Sequence, residues 1–234
     1  MRAVFADCHV GRQPGDEGPF LDALEAARKR GARAITLLGD IFHYFIAHPN
    51  FETPAISRFL DAARRLKEAG VVVTYVEGNR DFFLRGSYAE SAFGSVVEEQ
   101  TFEAGGRRFL ATHGDLLNER DRPYRFWRFM SKNSVSRAAL DFIPKSVANG
   151  VVWRVESRLD KSNFKHKTRL PVEMIRGFAG ERFRGGVDVL LLGHFHKSWT
   201  DDFEGGRIEI LPAFVDEQKW MEIADDGTTS LVSG

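Results

Sequence analysis

The sequence predicts an α/β protein built on a buried parallel sheet. Short apolar strands alternate with amphipathic helices over residues 2–76. Every strand of that run stops at a carboxylate or an amide, usually with a glycine beside it. Between residues 119 and 184 the text turns basic, aromatic and helical, and strand character returns afterwards. That stretch reads as a helical insertion within a single domain spanning residues 1–234.

The first strand covers residues 2–6 and ends at Asp7. A helix follows over 19–30, with Phe20, Leu21, Leu24 and Ala27 at helical spacing, Pro19 in its first turn and Gly31 as its stop. The second strand, 34–38, ends at Gly39-Asp40. A second helix over 53–69 places Ile56, Phe59, Leu60, Ala63 and Leu66 on one face. The third strand, 71–76, ends at Gly78-Asn79. Residues 95–112 read as short strands around the hairpin signal Gly105-Gly106, the last ending at His113-Gly114-Asp115. Residues 187–192 form a strand ending at Gly193-His194-Phe195-His196, and strands at 208–211 and 219–223 follow.

Composition narrows the class. The 234 residues carry no net charge, 43% are apolar and 28% charged, which describes an ordinary globular chain. One cysteine, Cys8, excludes an internal disulfide and a cysteine-based zinc ribbon, and a reducing, cytosolic setting is expected. No stretch approaches the roughly 18 apolar residues of a membrane span, and residues 1–7 show no secretory pattern. The neutral total conceals an asymmetry: residues 120–184 hold sixteen Lys and Arg against six Asp and Glu, with six of the 20 Phe and two of the four Trp.

Asp7, His9, Asp40, Asn79, His113, His194 and His196 all sit at strand ends, the edge where ligands gather in open α/β sheets. Singly, an Asp or a Gly-Asn after a strand is an ordinary turn. Seven oxygen and imidazole donors at one edge are a metal constellation. Mixed imidazole and carboxylate donors favour Mn, Fe or Zn over calcium or magnesium. Asp7 and Asp40 leave positive charge on a pair of divalent ions, which suits hydroxide and an anionic phosphate. Asp40, with two oxygens, is the expected bridge. His43 reads as a loop histidine lining the cleft, His48 and His166 as exposed, Cys8 as a packed thiol, and Asp81 and Asp115 either as carboxylates orienting a ligand or Arg80 or as simple turn caps.

Asp7-Cys-His9, Gly39-Asp40, Gly78-Asn79-Arg80-Asp81, His113-Gly114-Asp115 and Gly193-His-Phe-His196 resemble, in order, the motifs of the calcineurin-like metallophosphoesterases. The resemblance implies an αββα sandwich of two mixed sheets around a dinuclear centre. It places Asp7, His9, Asp40 and His196 on one ion, and Asp40, Asn79, His113 and His194 on the other. Many members carry a histidine after the motif asparagine that acts on the leaving group; here Arg80 stands there. Arginine cannot release a proton near neutral pH, but it binds phosphate bidentately. The reaction that fits is one whose leaving group needs no proton, such as pyrophosphate cleavage.

Gly78 to Phe82, His113-Gly-Asp-Leu-Leu, and the spacing of Asp121, Tyr124, Trp127 and Arg128 are similar to the UDP-2,3-diacylglucosamine hydrolases of lipid A synthesis. That resemblance implies attack by water on the α-phosphorus, releasing UMP and the acylated sugar 1-phosphate, with two divalent ions, expected to be Mn2+. It implies catalytic roles for Asp40, Asn79, His113 and Arg80, and substrate contacts from Asn79, Arg80, Asp121, Asn163, Lys165, Lys167 and His194. It also implies that the insertion binds acyl chains at the cytoplasmic face of the inner membrane as a peripheral protein. The loop Ile41 to Pro49 and the pair Lys197-Ser198 depart from the family's usual text. A basic aromatic segment suits an anionic lipid surface. Its composition alone suits nucleic acid equally, although none is expected as a partner. Two other readings stay open: a phosphodiesterase or nuclease of the same fold acting on a soluble substrate, and a non-catalytic scaffold.

Overall fold

The computed structural model describes every residue except Pro14, Glu119, Arg120, Asn149, residues 151–169 and Gly234. The expected contacts Asn163, Lys165 and Lys167, and His166, lie outside the described residues.

Two mixed sheets lie face to face, with helices on their outer sides. Strand β1 (Arg2–Phe5) pairs in parallel with β2 (Ala34–Leu38), and β2 with β4 (Val72–Val76). Parallel neighbours need crossover helices, supplied by α1 (Glu17–Lys29) and α2 (Pro54–Glu68). Beyond β4 lies β6 (Ser95–Val97); on the other side are β12 (Lys219–Ile223) and β13 (Thr229–Ser233). The second sheet runs β10 (Trp199–Phe203), β11 (Gly206–Ile210), β9 (Val189–Leu192), β8 (Arg107–Thr112), β7 (Glu99–Ala104). Gly105 and Gly106, both at positive φ, make the β7–β8 turn, as a two-residue hairpin with the right twist requires. A two-residue parallel ladder, β3 (Phe45–Ile46) with β5 (Asp81–Phe82), joins the loops after β2 and β4.

Side-chain alternation explains the layers. In β1, Ala3 and Phe5 face the α1–α2 core, while Val4 and Ala6 face the second sheet. In β9, Val189 and Leu191 face the first sheet. Leu190 and Leu192 pack on the far side with Ile175 and Ala179 of helix α5 (Val172–Arg184). So α5, counted with the insertion in the sequence, forms the outer helical layer of the second sheet. The segment that stands apart is α3 (Arg122–Ser131) and α4 (Ser134–Ala139). Strands β3, β5, β10 and β13 were not expected. The first two are two residues long, and β10 and β13 are sheet edges whose polar residues break the apolar alternation.

Phe5 anchors the larger core. Its ring stacks on Trp220 at 5.4 Å and meets Phe20 and Phe214 edge-on at 5.7 and 5.9 Å. Phe5→Ala is expected to cost about 3–5 kcal/mol, read as a lowered midpoint in urea denaturation.

Candidate metal centre

All seven expected ligands gather where strand exits of the two sheets meet. Asp7 and His9 leave β1, and their N–H groups donate to Gly39 O (3.2 Å) and Asp40 O (3.1 Å), so the exit of β1 is zipped to that of β2. His194 N–H donates to Asp7 Oδ2 at 2.7 Å, and Gly193 N–H donates to His113 O at 3.1 Å. The first bond ties the two sheets together at the site, and the second joins neighbouring exits of the second sheet. Asp7, His9, Asp40, His194 and His196 all have left-handed backbone, with φ of 51°, 47°, 52°, 70° and 53°. Such conformations cost non-glycine residues about 1–2 kcal/mol each and collect at functional sites.

The donor atoms form two groups, Asp7 with His9 and His196, and Asp7 with Asp40 and His113, each within 4.8 Å of one another. His9 Nε2 and His196 Nε2 stand 3.0 Å apart. That is the spacing of neighbouring ligands at right angles on an ion with bonds of about 2.1 Å. Asp7 Oδ1 lies 3.7 Å from His9 Nε2 and 3.6 Å from His196 Nε2. It is buried with no hydrogen-bond partner among the described residues. A buried carboxylate oxygen facing two imidazole nitrogens calls for a cation. Asn79 Oδ1 approaches His113 Nε2 at 3.2 Å, and the His194 ring stands edge-on to His113 at 5.2 Å.

The second ring nitrogens of His113 and His196 are committed elsewhere. His113 Nδ1 faces Leu38 O at 3.0 Å; a carbonyl only accepts, so Nδ1 carries a proton and Nε2 is the nitrogen turned towards the cluster. His196 Nδ1 faces the Asp216 carboxylate at 3.0 Å, the outer partner that metal-bound histidines commonly have. Burial pushes the pKa of His9 well below its ordinary value, and burial with His113 takes His194 down to about 4, so both remain neutral donors. Burial also opposes charge on His113, but Asp40 and Asp7 overcome it and lift its pKa to about 10. The carboxylates thus demand positive charge at this point. The residues fit a pair of divalent ions.

A buried scaffold holds these loops. The Asp81 carboxylate accepts from Asp40 N–H (3.0 Å), Gly78 N–H (2.7 Å) and the Tyr75 hydroxyl (2.8 Å), joining the exits of β2 and β4. Burial and the nearby Asp40 raise the Asp81 pKa to about 6. Asp115 accepts from Arg128 Nη1 at 2.7 Å and from the Tyr124 hydroxyl at 2.5 Å, which docks α3 on the loop after β8. Neither carboxylate joins the donor groups: Asp81 positions the backbone of Asp40, and Asp115 docks α3. Gly78 has no room for a side chain, since a Cβ would overlap Asp40 Oδ1.

The cavity above the cluster is walled by Arg80, Asn118, Asp121, Tyr124, Met174 and Phe195. Arg80 donates its N–H to Asp40 Oδ1 at 2.8 Å; its Nε lies 3.6 Å from Asp40 Oδ2 and its Nη1 donates to His43 O at 3.2 Å. Asp121 caps α3 by accepting from Tyr124 N–H at 3.0 Å while lining the cavity. His43 lies beside the cleft, its ring 6.1 Å from that of His9, outside both donor groups. Cys8 is packed in the core, as alternation requires. His48 is not exposed as expected: its Nδ1 accepts from Asn50 N–H at 3.2 Å and its Nε2 faces Asp141 at 3.0 Å. Asp216, Asn118 and Met174 escaped the sequence reading, because nothing in their local text distinguishes a cavity wall from a surface turn.

Asp216→Ala is expected to weaken metal binding about tenfold or more by freeing the His196 ring. Mn2+ titration of the chelator-stripped protein, followed by the electron paramagnetic resonance of free Mn2+, checks this.

The sequence profile described as calcineurin-like phosphoesterase matches residues 2–198. Among curated relatives, a protein of Pseudomonas putida named UDP-2,3-diacylglucosamine hydrolase is 29% identical over 84% of this chain and 82% of its own length. One of Xanthomonas oryzae pv. oryzae with the same name is 30% identical over 88% and 87%. A solved archaeal phosphodiesterase, 10% identical, superposes with a TM-score of 0.52 over 99% of this chain and 98% of its own, a likeness of fold alone. With a donor set that fits divalent ions and a profile match over most of its length, the chain belongs to the calcineurin-like phosphoesterase family and is a metal-dependent hydrolase.

Proposed function

We propose that the chain hydrolyses the pyrophosphate bond of UDP-2,3-diacylglucosamine, giving UMP and 2,3-diacylglucosamine 1-phosphate. The observation that carries this reading is Arg80. It is buried at the rim of the donor cluster, on the cavity side, where an acid for an alcohol leaving group would otherwise stand. The relatives of that name, similar over most of both chains, support the substrate.

Two divalent ions, with Mn2+ favoured by the imidazole–carboxylate donors, supply Lewis-acid polarisation of the phosphoryl group and a water acidic enough to attack near neutral pH. Asp7, His9, Asp40 and His196 would hold one, and Asp40, Asn79, His113 and His194 the other. Water oxygen bonds to the α-phosphorus, and the bond from that phosphorus to the bridging oxygen breaks. The leaving group departs as a phosphate monoester anion, which needs no proton. Arg80 offers its guanidinium to that developing charge, braced by Asp40 and the His43 carbonyl. Asp121 and Tyr124 face the same space from α3 and would meet the sugar and phosphates. Asn163, Lys165 and Lys167 would add phosphate contacts.

The outer side of the α3–α4 segment supports a lipid-facing role. Phe126, Phe129 and Phe142 are 67%, 69% and 86% exposed, with Arg122, Arg125 and Lys145 exposed near them in sequence. No helix among the described residues is long and apolar enough to cross a membrane. Partial burial of aromatic side chains with flanking cations is the physics of peripheral binding at an anionic leaflet. In this reading the protein works at the cytoplasmic face of the inner membrane.

Mass spectrometry of products from UDP-2,3-diacylglucosamine with Mn2+ should show UMP and the diacylated sugar 1-phosphate. Metal-loaded protein giving no turnover would overturn the assignment. Asp40→Ala should abolish turnover. Arg80→Ala should lower kcat/KM about 10- to 100-fold while binding Mn2+ normally, the loss of one charge-assisted contact. Replacing Phe126, Phe129 and Phe142 together by Ser should abolish co-sedimentation with anionic vesicles.

A further inference from the structure

We propose that Lys132, with Arg128 beside it, is a positioning residue for Asn79, so that the half of the metal centre nearest His113 is complete only while helix α3 is docked. The proposal rests on the two-ion reading of the donor cluster.

The Gly78 residue is gripped at both of its polar groups. Its N–H donates to Asp81 Oδ2 at 2.7 Å. Its carbonyl accepts from Lys132 Nζ at 2.8 Å and from Arg128 Nη1 at 3.4 Å. That carbonyl belongs to the peptide plane leading into Asn79. Rotating the plane would swing the Asn79 side chain, whose Oδ1 now sits 3.2 Å from His113 Nε2. Gly78 has no Cβ and so has intrinsic freedom to rotate. The space that forbids a Cβ, against Asp40, leaves the clamp on the carbonyl as the element that fixes the plane.

Directing a largely buried ammonium at a main-chain carbonyl is costly, because burial strips its water. Burial and Arg128 push the Lys132 pKa down, while Asp81, Asp115 and Glu77 favour its charge. Lys132 follows the last residue of α3, its own N–H donating to Arg128 O at 3.0 Å, and its ammonium lies 5.2 Å from the centre of the Phe82 ring. Phe82 in turn meets Trp127 edge-on at 6.1 Å. Arg128 also holds Asp115, two residues after His113. One helix thus touches both loops that carry Asn79 and His113. A second clamp serves as an internal comparison: Arg137 of α4 donates to the carbonyls of Arg85 (3.2 Å) and Gly86 (2.5 Å), remote from Gly78.

The test is Mn2+ titration of the chelator-stripped full chain by electron paramagnetic resonance, with circular dichroism as the measure of folding. Wild type should bind two ions. Lys132→Met should weaken one of the two sites about tenfold or more and leave the other unchanged. Lys132→Arg should restore most of the loss, and Arg137→Met, which loosens the same segment elsewhere, should leave both sites intact. Lys132→Leu serves as the second variant lacking a donor if methionine prevents folding. Wild-type affinities at both sites in folded Lys132→Met or Lys132→Leu protein would overturn the proposal. So would an equal loss in Arg137→Met, which would assign the effect to docking in general. Fewer than two ions on wild type would instead remove the two-ion reading beneath it.

Discussion

Strand exits from two sheets must deliver polar side chains into one small buried volume. That constraint shapes the rest of the molecule. A right-handed exit would carry Asp7, His9, Asp40, His194 or His196 away from the others, and all five instead adopt left-handed backbone. The strain is distributed over short hydrogen bonds between neighbouring exits, such as His194 N–H to Asp7, and over a core that cannot yield. The charges of the cluster call for a cation: Asp7 Oδ1 has no hydrogen-bond partner among the described residues, and Asp40 and Asp7 draw the pKa of His113 upward. A folded scaffold that gathers carboxylates and imidazoles in one buried place suits a divalent ion.

The donor cluster and the cavity wall facing it come from different parts of the chain. The sandwich presents the donors, and its strands alternate so regularly that Ala3 and Phe5, or Val189 and Leu190, can be assigned to a layer by parity alone. The α3–α4 segment contributes the opposite wall of the cavity. It is attached by charged side chains reaching inward: Arg128 to Asp115, Lys132 to Gly78 and Arg137 to the loop at Arg85. The basic excess of this stretch therefore has two uses. Part of it is consumed in docking, and only the exposed remainder is available to an anionic surface.

The ligand set was legible because each member ends an apolar strand, and a strand end has a known place in an α/β sheet. The α1 and α2 helices were legible from spacing, down to Gly31 as a stop. What escaped was non-local or locally featureless. Asp216 orients His196 across 20 residues of chain, and no periodicity encodes that. Lys132 looks like one cation among sixteen. The edge strands β10 and β13 satisfy only one side of the ladder and lack a buried face on the other, so their polar residues hide the pattern. The left-handed turns were hidden for a different reason: they fall on Asp and His, where only the glycines alongside hint at them.

The docking of the α3–α4 segment is asymmetric in its chemistry. On the insertion side the contacts are specific side chains. On the body side three acceptors, the carbonyls of Gly78, Arg85 and Gly86, are main chain, which any residue provides. Substitutions in the body loops that preserve the backbone path leave those contacts available, whereas the insertion must keep its own cations in register. Exchange of such a cap between scaffolds of the same backbone course would ask the recipient to keep few side chains, chiefly Asp115, His48 and Asn50, and the exposed outer face could be rewritten without disturbing the hydrogen bonds that hold the segment down.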